Sequence, residues 1–458
     1  MNATAHSSSR PGRFHAAVWR WHFLIGMLVI PFLFMLAGSG ALMLLSKPLD
    51  NALNKELLVV EAEGNPLPAS LLLERVREAF PHATVKLYLP PQQPDQAARF
   101  SLQSGHGGGH GGHGAPSTVA YLNPYTGELL GSNDPADSVY AMVKQWHGSL
   151  YLGRTGELLI EMAAGLAVLM IVTGLYLAWP KKGWRALMPS RSLANRAAWR
   201  RWHLSLGWLI AVPLLFFLIS GMAWTSIWGG KLVQPWGSLP GTRFELPENP
   251  TAPAMDHASM NEHGLHRVPW AVEQTSLPQG SPGPARLDVD AVVGLAGEQD
   301  FENFRVHFPQ GERGVWTVSA TTIAGDISNP LDERILHLNP ANGEPLKDIR
   351  FADYPAMGKA MAASIPFHQG DLGWWNWWLN LLLVTLVMAL VISGAIVWWK
   401  RQSRRAPPKG ERSSGRVVAV LMVVVGCAFP LSAAVLVGII LLDAFWPQRT
   451  TRKQQQAN

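Results

Sequence analysis

Four histidines carry the chemistry this chain would perform. His22 sits in Trp19-Arg20-Trp21-His22-Phe23-Leu24-Ile25-Gly26 at the head of an apolar stretch, and nearly the same text returns as Arg200-Arg201-Trp202-His203-Leu204-Ser205-Leu206-Gly207. His147 leads His147-Gly148-Ser149-Leu150-Tyr151-Leu152-Gly153, and His368 leads His368-Gln369-Gly370-Asp371-Leu372-Gly373, each just before another apolar stretch. A single imidazole at a membrane edge is an interfacial side chain by default. Two depth-matched pairs point instead to axial ligands of six-coordinate haem iron, which suits electron transfer because no position stays open for oxygen. His22 and His203 begin their spans on one side of the membrane, whereas His147 and His368 precede theirs on the other. A span of about 22 residues rises roughly 33 Å, so ligands from opposite ends cannot share one iron. Depth therefore pairs His22 with His203 and His147 with His368. No C-x-x-C-H attachment motif is present, so the two haems would be held non-covalently, as haem b.

A macrocycle also needs room. Thr173-Gly174 and Ser393-Gly394 fall at the level of the first pair, and Ser39-Gly40 and Ser220-Gly221 at the level of the second. Gly174, Gly394, Gly40 and Gly221 are thus candidates for haem packing, although small residues serve plain helix packing in membranes equally well. Glu161, one turn inside an apolar stretch, is a candidate for proton movement or for support of His147, or simply an interfacial carboxylate; Asp443 has the same two readings. His15, seven residues before His22, is a spare ligand or a solvated basic end. Two histidine-rich loops remain. One carries His106, His110 and His113, and the other Met255, His257, Met260, His263 and His266. Imidazole with thioether suits copper, while the bland alternative is a low-complexity insert with incidental metal affinity.

The elements that must position these residues are membrane spans. The 458-residue chain is 48% hydrophobic, 15% charged and holds 20 Trp. Five stretches meet the roughly 20 apolar residues a crossing requires: 23–45, 158–179, 202–228, 377–399 and 417–446. Lys and Arg crowd residues 180–201 and 400–416 and recur in the N-terminal segment 1–22, which places all three in the cytoplasm. Segments 46–157 and 229–376 then lie outside, with the His-rich loop at 105–114 and the Met/His-rich loop at 255–266, and the tail 447–458 also falls outside. The +6 net charge reflects this bias and calls for no nucleic acid. Small residues at 37–41 resemble a signal-peptidase site, but the matching Ser220-Gly221 in a span that cannot be removed argues that the first span stays. The single cysteine, Cys427, falls in the fifth span, leaving the outer segments without disulfides.

Span, outer segment and span occur twice in the same order, which implies a parallel internal repeat. Tyr121-Leu122-Asn123-Pro124-Tyr125-Thr126-Gly127-Glu128 matches His337-Leu338-Asn339-Pro340-Ala341-Asn342-Gly343-Glu344, in each case a strand, an Asn-Pro…Gly turn and a second strand. The apolar spacing of Leu72, Val76 and Phe80 predicts a helix over 71–80, and 85–89 and 315–319 read as strands. Residues 234–284, rich in Pro and Gly, read as a mobile loop. The expected fold is an integral membrane protein, mainly α, with five transmembrane helices and two small α+β periplasmic domains.

On these motifs the chain resembles the PepSY-associated transmembrane family of bacterial inner-membrane proteins. The matching parts are Arg201-Trp202-His203 with Gly207, the Ser/Thr-Gly span ends, the Asn-Pro-x-x-Gly-Glu hairpins of PepSY-like domains, and Phe429-Pro430-Leu431 with Leu441-Leu442-Asp443 in the last span. The resemblance covers nearly the whole chain. It implies a di-haem reductase of ferric siderophores in the bacterial inner membrane, contacting membrane lipid, with His22, His203, His147 and His368 as haem ligands. Neither a dinucleotide fingerprint nor a P-loop occurs, so electrons would come from a cytoplasmic flavoprotein or from quinol. The histidine-rich loops stand outside the family pattern. Rival readings are a cupric reductase, a haem-free anchor whose PepSY-like domains bind a protein partner, and a small-solute transporter.

Overall fold

A computed structural model describes residues 13–104, 117–180, 183–233, 260, 268–273, 275–281, 286–401, 424–425 and 427–445. The chain divides into a helical unit (Met1–Gly38, Gly148–Trp228, Leu383–Asn458) and a sheet unit (Ser39–His147, Gly229–Leu382). The helices are α1 (Arg13–Leu53), α2 (Lys55–Leu58), α3 (Ala69–Ala79), α4 (Val139–Ser149), α5 (Gly153–Leu177), α6 (Arg196–Met222), α7 (Val289–Glu298), α8 (Ala356–Gln369), α9 (Trp374–Trp399) and α10 (Pro430–Phe445). The strands are β1 (Ala83–Leu89), β2 (Ala98–Ser104), β3 (Ser117–Leu122), β4 (Leu129–Asn133), β5 (Arg305–His307), β6 (Trp316–Ala320), β7 (Arg334–Leu338) and β8 (Pro345–Arg350).

Among the described residues, four helices are long and apolar enough to cross a membrane: α1, α5, α6 and α9. The fifth expected span, 417–446, lies partly outside the described residues, and its described helix α10 has 16 residues, short of the roughly 20 that a crossing needs. Helix ends also overrun the apolar text. α1 begins ten residues before the expected start at Phe23, and α6 begins at Arg196 because the Asn195 side chain accepts a hydrogen bond from Ala198 N at 2.9 Å, a cap that satisfies a free amide.

The helical unit is packed along stripes four residues apart: Ile25, Val29, Leu33 and Ala37 on α1, and Ile210, Leu214, Leu218 and Met222 on α6, against Leu166 and Ala167 of α5 and Val387 and Val391 of α9. In lipid such contacts stabilise by close packing rather than by removal from water. α10 docks on α5 through a small-residue contact. Ser432 Oγ donates to Met162 O at 2.9 Å, and a Cβ on Gly165 would collide with that hydroxyl.

The sheet unit corrects the expectation of two separate α+β domains. Its eight strands form one sheet in the order β4-β3-β2-β1-β5-β6-β7-β8. The halves join where β1 pairs antiparallel with β5, Leu87 opposite His307 and Tyr88 opposite Val306. Either half alone would leave that strand as an open edge with unpaired amides; joining them removes both edges. One face is covered by α3 and α7, with Leu72, Val76, Phe100, Leu122, Val292, Val306, Val318 and Leu336 in a common core. The Ser70 hydroxyl ties α3 to the Asp290 carboxylate of α7. Both Asn-Pro hairpins close as expected: Asn123 N donates to Glu128 O and Asn339 N to Glu344 O, each at 2.9 Å. Gly127 (φ 74°) and Gly343 (φ 78°) occupy the left-handed position each turn requires. Within the stretch expected to be a loose loop, Val268, Trp270 and Val272 are buried, Val268 and Val272 against Ile335, Ile349, Tyr354 and Ala362.

Candidate functional site

In the helical unit, His22 and His203 are held in one manner. His22 Nδ1 lies 3.0 Å from Thr173 Oγ1, and that hydroxyl is itself 2.9 Å from Leu169 O and 3.1 Å from Met170 O. A hydroxyl has one proton. Given to a backbone carbonyl, it leaves the oxygen to accept from Nδ1–H, so Nε2 keeps a free lone pair. His203 Nδ1 lies 3.1 Å from Ser393 Oγ and 3.3 Å from Leu390 O, while Ser393 Oγ donates to Leu390 O at 2.6 Å, and the same tautomer follows. A neutral imidazole with Nδ1–H fixed by a neighbour and Nε2 bare is the form that binds a metal. The glycines beside these hydroxyls face the rings. A Cβ on Gly174 would stand 3.0 Å from His22 Cε1, and one on Gly394 3.1 Å from His203 Cε1. The two imidazoles are also within electrostatic reach of each other. The structure thus brings together His22, His203, Gly174 and Gly394. His15 instead packs against the Tyr176 ring, 5.9 Å between centroids.

In the sheet unit, His147 Nδ1 is 2.8 Å from Ser39 Oγ, a hydroxyl that is fully buried. Helix α4, which carries His147, is anchored at its start by Asp50, whose carboxylate oxygens accept from Val139 N and Tyr140 N at 2.9 Å each. This places an anion where a helix N-terminus favours one. His368 lies in the last turn of α8, after Pro366 has interrupted the helical ladder. Two asparagines of α9 donate to carbonyls of that last turn. Asn376 Nδ2 donates to Phe367 O at 3.0 Å, and Asn380 Nδ2 donates to Phe367 O at 2.6 Å and His368 O at 3.2 Å. Both are buried, at 0% and 1% exposure. A Lys47–Asp371 ion pair and a hydrogen bond from Trp377 Nε1 to Leu44 O at 2.9 Å fasten the α8–α9 elbow to α1. Sequence reasoning missed Asn376 and Asn380, although two amides four residues apart in a spanning helix were the available signal.

The remaining candidates divide. Glu161 is 2% exposed, and its carboxylate accepts from Ile227 N and Trp228 N at 3.3 and 3.2 Å while Glu157 takes Ser226 N; both acids cap the chain leaving α6. Gly40 and Gly221 fall within α1 and α6. His106, His110, His113, Met255, His257, His263 and His266 lie outside the described residues, as does the side chain of Asp443. Met260 is described and packs on the Val268–Tyr354 cluster.

The sheet face turned away from α3 and α7 is unexpectedly polar. Strand alternation and register place Tyr121, Arg99, Ser101, Arg305, His307, Thr317, Ser319 and His337 on it. Arg305 is 2% exposed and forks onto Asp326, with Nε and Nη2 within 2.7–3.0 Å of the carboxylate. His337 Nδ1 meets Thr317 Oγ1 at 2.8 Å. Nearby, Thr322 donates through its amide (3.2 Å) and hydroxyl (2.5 Å) to Glu333 Oε1. Burial nonetheless pushes Glu333 up to about 7, against the lowering effect of those bonds.

Four helices long and apolar enough to cross a membrane describe a multi-pass membrane protein. Residues 19–401 match the family described as the PepSY-associated TM region, and the chain belongs to that family. No curated protein matches the sequence.

Proposed function

We propose that the protein is a haem-b oxidoreductase of the bacterial inner membrane, which carries electrons from the cytoplasmic side to reduce a ferric chelate, such as a ferric siderophore, in the periplasm. The observation that carries this reading is the pair His22 and His203, each locked through Nδ1 by a hydroxyl that has no proton left to give the ring. Such imidazoles fit haem iron as axial ligands, and His147, similarly engaged by Ser39, and His368 would hold a second group. When bound, the haems would supply one-electron transfer with no vacant iron position for oxygen.

The chain's own task is to fix ring orientation, keep both nitrogens in one tautomer and exclude water. The Ile25–Val29–Leu33 and Ile210–Leu214–Leu218 stripes supply the dry surroundings. Oxygen chelators bind the softer, less charged Fe(II) more weakly than Fe(III), so reduction alone would release the metal. A cytoplasmic flavoprotein or quinol would be the donor.

The test is the visible spectrum of the purified full chain. A reducible bis-imidazole α band is expected. His22→Ala and His203→Ala should each remove the same half of the absorbance, and His147→Ala and His368→Ala the other half. Stopped-flow mixing of the reduced protein with ferric citrate and with cupric ion should show the faster reoxidation with iron. A colourless protein from haem-replete cells defeats the proposal, and preferential reoxidation by copper replaces the substrate.

A further inference from the structure

The segment that joins α5 to α6 leaves and re-enters the membrane on one side, because both flanking helices are long and apolar enough to cross it. Residues 183–193 of that segment are tied down along α6 rather than left as a free loop. Trp199 Nε1 donates to Leu193 O at 2.9 Å, Arg201 Nε to Met188 O at 3.2 Å and Trp202 Nε1 to Ser190 O at 2.9 Å, while the Ser205 hydroxyl meets Leu187 O. A backbone held at four carbonyls fixes which side chains turn outward. Those include Trp184, Met188 and Leu193, which are 65%, 59% and 52% exposed. Trp184 also packs edge-on against Trp208, 5.3 Å between centroids, and Trp208 lies 5.8 Å from Trp179, just past the end of α5.

The same stretch is strongly basic. Arg185, Arg191 and Arg200 are exposed, and the sequence holds no Asp or Glu from 162 to 244, from 372 to 410 or before Asp50. The nearest acids upstream, Glu157 and Glu161, accept the amides of Ser226, Ile227 and Trp228 at the other end of α5. A charge excess alone would record only which side of the membrane a loop occupies. It does not call for large apolar side chains fixed outward among the cations. Water disfavours that arrangement, whereas a bilayer surface accepts both, apolar groups in the acyl boundary and cations among phosphates.

We propose that residues 183–193, together with Arg200, form a strap that lies in the headgroup layer and binds anionic phospholipid. Arg185, Arg191 and Arg200 meet the phosphodiester groups, and Trp184, Met188 and Leu193 enter the acyl boundary. An acidic protein would match the charge alone; the apolar side chains and the seat beside two spanning helices select the lipid. The inference uses the membrane spans and not the proposed haems, so neither reading stands or falls with the other.

The full chain is placed in mixed micelles holding phosphatidylglycerol and phosphatidylcholine in equal amounts, and the lipids it retains are counted by native mass spectrometry. Phosphatidylglycerol should be retained about tenfold or more over phosphatidylcholine, since each arginine near an anionic surface adds about fivefold. Arg185→Gln, Arg191→Gln and Arg200→Gln combined should erase most of that preference, and the matching lysine replacements, which guard against a folding defect, should keep it. Arg449→Gln, Arg452→Gln and Lys453→Gln make the same change of net charge in the tail and should leave it unaltered. For the apolar half, a nitroxide is attached at Met188→Cys after Cys427→Ser removes the only native thiol, in vesicles of the same two lipids. Oxygen should reach the label more readily than a water-soluble nickel chelate does. Equal retention of the two lipids, an equal loss in the tail variant, or a label open to nickel would overturn the proposal. So would release of the lipid by glycerol 3-phosphate, which would make the strap a site for soluble phosphate, or by polyglutamate, which would favour an acidic protein.

Discussion

The helical unit and the sheet unit differ in how they bury polar groups. In the helical unit the candidate ligands are imidazoles, each meeting a hydroxyl on a neighbouring helix, as with His22–Thr173 and His203–Ser393, and the buried Glu161 carboxylate rests on the Ile227 and Trp228 amides. The sheet unit buries a full ion pair and a titratable acid: Arg305 with Asp326, and Glu333 beneath Thr322. The difference teaches where each kind of chemistry is affordable. In hydrocarbon an ion is expensive and an imidazole is tolerable if one nitrogen is satisfied. A sheet surrounded by water at its margins can keep ions inside, provided that hydrogen bonds or a ligand answer them.

Three perturbations test this contrast. The largest effect is expected at Glu333. The folded chain holds its proton up to about 7 against the ordinary 4.5, so unfolding releases a proton between those values and stability falls as pH rises through them. The full difference is about 3 kcal/mol. Glu333→Gln should flatten that dependence, and denaturant unfolding at pH 5 and pH 8 measures it. A slope unchanged by the substitution would remove the sheet unit's distinction.

Next comes Asn380→Leu, which removes one donor each from Phe367 O and His368 O. Phe367 O keeps Asn376 Nδ2 and Gly370 N, so the loss is about 1–2 kcal/mol. A lower melting temperature should accompany a shifted reduction potential in the haem proposed for His147 and His368, while the one proposed for His22 and His203 keeps its own. Equal shifts in both haems would show that the positioning is not local.

Smallest is Thr173→Val. Loss of the hydroxyl bond to Nδ1 should cost about 1 kcal/mol and lower the potential or the affinity of the proposed haem at one site, with no change in pH dependence. Thr173→Ser should restore both. Potentiometric titration of the α band reads the result, and an effect absent from Thr173→Val yet present in Ser393→Ala would mean that the two imidazoles are not held alike.

Much of the site was legible in the sequence because its markers are local. His22 and His203 announce themselves by the Arg-Trp-His text at a span start, and Thr173-Gly174 and Ser393-Gly394 by small residues at a span end. What the text could not show is that the hydroxyl of each Ser/Thr-Gly step is the imidazole's partner, since that depends on helix rotation. Glu161 reads in the sequence as a proton carrier, a support for His147 or a plain interfacial carboxylate; that it accepts from Ile227 N and Trp228 N appears only when α6 is seen to end at Met222. Asn376 and Asn380 were passed over because amides carry no formal charge.

The sequence by itself determined the apolar spans, the two sets of histidines, the Asn-Pro hairpins and the strands on either side of them, all features written in runs and periods of a few residues. Only the tertiary structure decided that both halves share one sheet, that the face turned away from α3 and α7 is polar, and that Arg305 pairs with Asp326 there. The reason is range. Periodicity records which way a side chain points from its own strand, but the β1–β5 pairing joins residues more than two hundred positions apart, and no local pattern encodes what lies across that gap.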